Sequence, residues 1–124
     1  SKNYPVAEKT ELAVISLMIK HKNNIELAFT CDLDLEHFGI PIARQTFSVI
    51  EKMYKEKNYM NIDTVYDNAK KMGFTIDFNE LKNITNIIQH SDELLNLIKE
   101  LDEFKRQRKL LDLSSKIDEL TNHN

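Results

Sequence analysis

With 124 residues and a net charge of −3, the chain is long enough for one domain that buries a core without disulfides or metal. Two glycines and two prolines leave too few tight turns for an all-β fold, and the wealth of Lys, Glu, Asp, Leu and Ile favours an all-α bundle. The acidic balance argues against a dedicated nucleic-acid-binding domain, and the longest apolar run, Leu12–Ile19, is far too short to span a membrane.

Residues 1–6, SKNYPV, read as a loose leader, and Ser1 in place of Met points to a processed or engineered start of a fragment. The first helix is expected over 7–20, with acids before its apolar centre and Lys20 and Lys22 after it, as the helix dipole favours. Apolar almost all round, it belongs at the centre of a bundle. Because Glu8 and Glu11 stand where a signal peptide carries positive charge, a cytoplasmic protein is expected.

Asn23 or Asn24 can cap a second helix with Ile25, Ala28 and Phe29 on one side, and Asp34 can cap the single turn LEHF that ends at Gly39. Pro41 suits a first helical position. From it, residues 41–58 carry Ala43, Phe47, Ile50 and Tyr54 on one stripe, with Met53 beside it. A fourth helix starts at Asn61 or Asp63, turns Val65, Ala69 and Met72 inward and ends at Gly73. Asp77 with Glu80 resembles a capping box, and the helix after it is expected to bury Leu81, Ile84 and Ile88 and to end near His90.

The last element, Ser91–Leu120, has no Gly or Pro, and Ser91 is a good N-cap. At 1.5 Å per residue it runs about 45 Å, whereas a compact chain of this size is only about 35 Å across. Either the helix breaks near Lys105–Lys109, or its far end projects and buries its apolar stripe on something outside the chain. The whole is expected as a compact bundle of about six helices in a single domain over 7–120, with 121–124 as a tail.

Chemistry is sparse. No phosphate-binding glycine loop can be assembled from Gly39 and Gly73, so no cofactor site is expected. His21, His37, His90 and His123 lack metal-ligand spacing, and Cys31 beside Asp32 and Asp34 is not marked as a nucleophile. The acid pairs read as caps and solvated faces, Ser114 and Ser115 sit in no nucleophile motif, and the aromatics read as core before base-stacking platform. No catalytic residue is expected. The basic run Lys105–Lys109 reads most simply as solvated helix paired with neighbouring acids, and more sharply as a contact strip for a partner or for phosphate.

The stretch ELAVISLMIKHKNNIELAF, the segment LEHFGIPIARQTFSVIEKMYKEKNYMNIDTVYDNAKKMG and the block IIQHSDELLNLIKELDEFKRQRKLLDLSSKI together resemble the N-terminal domain of DnaB-type replicative DNA helicases, bacterial or phage. Phe38, Pro41, Arg44, Phe47, Ile50 and the Ile62–Asp63–Thr64–Val65 helix start carry the likeness, which spans about residues 8–120. Ser16 stands where that family usually has Gly, and Ala43 where it has His. The resemblance implies a non-catalytic head that pairs through a helical hairpin, here with its second arm missing, and builds a trimer-of-dimers collar on a hexamer. It further implies docking of primase or a helicase loader, little direct DNA contact, and ATP and Mg held by a separate motor domain. The self-association or partner-contact residues expected on this basis are Phe104, Arg106, Arg108, Leu110, Leu113, Ile117 and Leu120. A primase C-terminal helicase-binding domain and a standalone replisome adaptor are the alternatives.

Overall fold

A computed structural model describes residues 4–122; the first three residues of the expected leader, and His123 with Asn124 of the expected tail, lie outside the described residues. Six α-helices make up the fold, with no strand among the described residues: α1 (Glu8–Lys20), α2 (Lys22–Thr30), α3 (Pro41–Lys55), α4 (Ile62–Lys71), α5 (Phe78–Thr85) and α6 (Leu94–Asn122). Single 3₁₀ turns at Leu35–His37 and Ser91–Glu93 precede α3 and α6.

The central place of α1 follows from its composition. Every residue from Ala13 to Ile19 is buried, and the helix packs against α2, α3, α5 and α6. Val14, Ile15, Leu17 and Met18 meet Phe47 and Ile50 of α3, Leu81 of α5 and Ile98 and Leu101 of α6 in one apolar cluster. Rings fill the α2–α3 side. Phe29 lies 6.0 Å edge-on to Phe47 and 5.3 Å from Tyr54, and Phe38 lies 5.0 Å from Phe47, so the aromatics serve the core.

One buried charge ties α1 to α3. Glu11 is fully buried, and its carboxylate accepts from Gly39 N at 2.9 Å and Ile40 N at 3.0 Å. Ile40 N is one of the N–H groups that α3 leaves without an intrahelical partner, Gly39 N stands just before it, and Pro41 at the first position has none to offer. Glu11 therefore caps α3 from another helix, where the positive end of the dipole also favours it.

Local caps settle most other starts. Asp34 accepts from Glu36 N, Asn61 accepts from Thr64 N while Thr64 Oγ1 accepts from Asn61 N, and Asp77 accepts from Glu80 N. Three helix ends share one geometry: α2, α3 and α4 each close with paired backbone bonds around a left-handed residue, Asp32 (φ 60), Lys57 (φ 58) and Gly73 (φ 84). Only the last has the residue type that suits the position; an L side chain there costs roughly 1 kcal/mol.

Four expectations change. The second helix starts at Lys22, and Asn24 lies inside it, buried, donating to Leu17 O and Ser91 Oγ instead of capping. That bond engages the Ser91 hydroxyl, so Ser91 opens a 3₁₀ turn with no side-chain cap. The third helix stops at Lys55 because the left-handed turn at Lys57 closes it. The fifth stops at Thr85, not near His90, and leaves Ile88 90% exposed. The run Thr85–Asn86–Ile87–Ile88 is poor in helix formers, and Lys20 donates to Ile87 O, a carbonyl that a continuing helix would use itself.

Glu11→Ala leaves two partly buried N–H groups without an acceptor and is expected to cost about 3 kcal/mol in denaturant unfolding, with Glu11→Gln costing less. A loss below about 1 kcal/mol for the alanine variant would contradict the capping role.

Candidate assembly interface

Helix α6 has 29 residues and is therefore about 44 Å long. It does not break at the basic run; its faces change use there. Leu94, Ile98 and Leu101 point into the core, and Lys105, Arg108 and Asp112 continue the same 3–4 spacing along the inward face. The inward face thus turns polar where it leaves the core and meets the chain around residues 34–39 and the leader.

Each of these polar residues has a partner. Lys105 Nζ donates to Asp34 Oδ2 at 2.8 Å. Arg108 is buried, and its guanidinium donates to Pro5 O at 2.9 Å and Glu36 O at 2.8 Å. Asp112 accepts from the Tyr4 hydroxyl at 2.7 Å, a bond that raises the Tyr4 pKa above its ordinary value. Residues 4–6 of the expected loose leader are thereby tied to α6. Gly39 permits the close fit, since a Cβ there would overlap Val6 Cγ1 and approach Arg108 Nη1 at 3.3 Å.

Buried His37 completes the junction. Asp34 N donates to its Nδ1 at 3.0 Å, which leaves Nε2 as the donor to Asp102 Oδ1 at 2.5 Å. Burial pushes the Asp34 carboxyl up, but the hydrogen bond and positive charge of Lys105 outweigh it and hold its pKa below the ordinary value.

The outer half of α6 carries the opposite arrangement. Every residue from Lys109 to Asn122 is exposed, including Leu110 (52%), Leu113 (55%), Ile117 (54%) and Leu120 (69%). Their 3–4–3 spacing is that of a coiled-coil seam, on a face rotated by about 130° from the inward one. Of the seven contact residues expected from sequence, these four and Arg106 share that outer face. Arg106 is exposed and pairs with Glu103 at 2.5 Å, a contact that lowers the Glu103 pKa and raises that of Arg106. Phe104 is half-buried and lies on the side of the helix turned away from that seam, about 160° round from it. Arg108 stands apart on the inward face, a role its place in a basic run did not disclose.

No group of three or more His, Cys, Asp or Glu among the described residues could hold a metal ion, and no described helix is long and apolar enough to cross a membrane.

The family model for the DnaB-like helicase N-terminal domain matches residues 3–103. The chain belongs to that family. Among solved structures, this DnaB-type domain is similar to the N-terminal domain of DnaB helicase from Mycobacterium tuberculosis, with a TM-score of 0.91 at 14% identity, covering 98% of this chain and 88% of the other. The likeness extends past residue 103, so the long α6 is part of a shared fold. No curated protein matches the chain. The family is that of the helicase head, which sets aside the primase domain as the alternative.

Two outcomes follow for the junction. Arg108→Lys, which cannot span both carbonyls with a planar fork, is expected to lose about 1–3 kcal/mol of stability and to speed amide exchange in the leader; an unchanged exchange pattern would separate Arg108 from the leader. Asp34, with its folded-state pKa depressed, stabilises fully above its ordinary value of 3.8 and loses this as pH falls through the folded value. Asp34→Asn should therefore flatten the acid side of the stability–pH curve, by no more than about 1 kcal/mol for so exposed a group. Acid-side curves of the same shape would refute the linkage.

Proposed function

We propose that this domain is the non-catalytic assembly head of a hexameric replicative DNA helicase, acting in DNA replication in the cytoplasm. It pairs with a second copy through a helical hairpin whose first arm is the outer half of α6, and paired heads form a collar on the ring. Arg106, Leu110, Leu113, Ile117 and Leu120 make the contact, with Arg108 positioning the arm. Primase or a helicase loader docks on the collar, and ATP and Mg belong to a motor domain elsewhere in the parent protein.

The observation that carries the reading is the exposed apolar seam on a helix that outruns its own body. A seam of four large apolar residues, each more than half exposed, is out of place on a free surface and suited to a partner helix. Membership of the helicase-head family supports the same assignment.

Sedimentation equilibrium of the chain, and of a longer form including the residues that follow Asn124 in the parent, tests the pairing. The longer form is expected to dimerise in the micromolar range, and Leu113→Glu with Ile117→Glu to weaken it by about a hundredfold or more without lowering the unfolding midpoint. A longer form that stays monomeric at high micromolar concentration defeats the proposal. The chain alone is expected to hydrolyse no ATP, and turnover above background would overturn the reading of a head without a motor.

A further inference from the structure

The end of α1, the start of α2 and the end of α3, with the loop that follows it, enclose an open groove of about 900 Å³ to which α6 contributes no residue. Its floor is apolar, with Ile25 buried and Tyr54 and Met60 half-buried. Its rim is basic: Lys20, Lys22, Lys55 and Lys57 face it against the single carboxylate of Glu26. In a chain of net charge −3 this is a local inversion of sign. Lys20 donates to Ile87 O and Lys55 stands 3.9 Å from Glu51, whereas Lys22 and Lys57 have no anionic partner among the described residues. Tyr59, 78% exposed, stands beside them.

Lys57 adds an independent observation. It holds the left-handed position that ends α3, with φ 58, where the corresponding residue after α4 is Gly73. Glycine would relieve the backbone there, and the lysine in its place puts a cationic side chain at the groove rim.

We propose that this groove docks a short acidic peptide segment of a partner protein, its carboxylates on Lys22 and Lys57 and one apolar side chain on the Ile25–Tyr54–Met60 floor. Charge complementarity selects the acids, and the floor selects a peptide over a bare phosphate, which would leave it unused. A nucleic-acid strand is the poorer match. It needs a basic track longer than the one these four lysines make. The groove is separate from the α6 seam, so peptide docking holds whether or not the chain pairs through that seam.

Panning a random displayed-peptide library on the domain, with counter-selection on a Lys22→Glu/Lys57→Glu variant, tests this. The expected winners combine Asp or Glu with an apolar or aromatic residue, and shift the amide resonances of Tyr54, Tyr59 and Met60. Replacing their acids by amides is expected to weaken binding by about tenfold. Lys57→Gly is expected to weaken it as well while keeping or raising the unfolding midpoint, an outcome that a merely structural lysine would not give. No enrichment, winners without acids, winners that bind the double variant equally, or tighter binding of oligothymidylate than of the selected peptides would each overturn the proposal.

Discussion

A carboxylate with no cationic partner among the described residues holds this bundle in register. Glu11 is closed off from water, and its charge is met by the backbone N–H groups of Gly39 and Ile40 and by the dipole of α3. Because those donors belong to a fixed stretch of chain, the bond sets the angle at which α3 leaves α1 and the path of residues 34–40. That path places the Asp34 side chain for Lys105 and the Glu36 carbonyl for Arg108. The anchoring of α6 therefore depends on a capping bond made by a helix it crosses.

Helix α6 shows how one uninterrupted helix can serve two environments. Along its inward face the residue type changes from leucine and isoleucine to lysine, arginine and aspartate as the packed core gives way to exposed carbonyls and carboxylates. Apolar residues reappear on another face once the body has ended. The outer seam is thus a second, distinct stripe, and the basic run between them is a fastening to the 34–39 segment and the leader.

Much of this was legible in the sequence wherever the interaction is local. Asn61 and Asp77 fix helix starts through bonds within a few residues, Pro41 does so through its fixed φ, and the all-round apolar character of residues 13–19 identifies the central helix without any partner being known. What escaped was every polar side chain that works at a distance. Asn24 and Ser91 are both good caps by type, yet they bond each other across 67 residues. Glu11 reads as first-turn acid, and Arg108 as one of four similar bases; only the fold separates the buried guanidinium from exposed Arg106. Ile88 failed differently, because its apolar type suggested a helix that the β-branched and Asn-containing run around it does not sustain.

The unbroken passage of α6 through the basic run makes the domain a phased lever. With no hinge between the anchored and the projecting halves, the azimuth of the seam relative to the head is set by the count of residues between Arg108 and Leu110. One residue added there would swing the seam by about 100°, and a whole heptad would return it to within about 20°. The sequence of this stretch is therefore a dihedral angle written in integers. Two heads joined through such arms would inherit their mutual twist from it, and so would the shape of any ring built from the pairs.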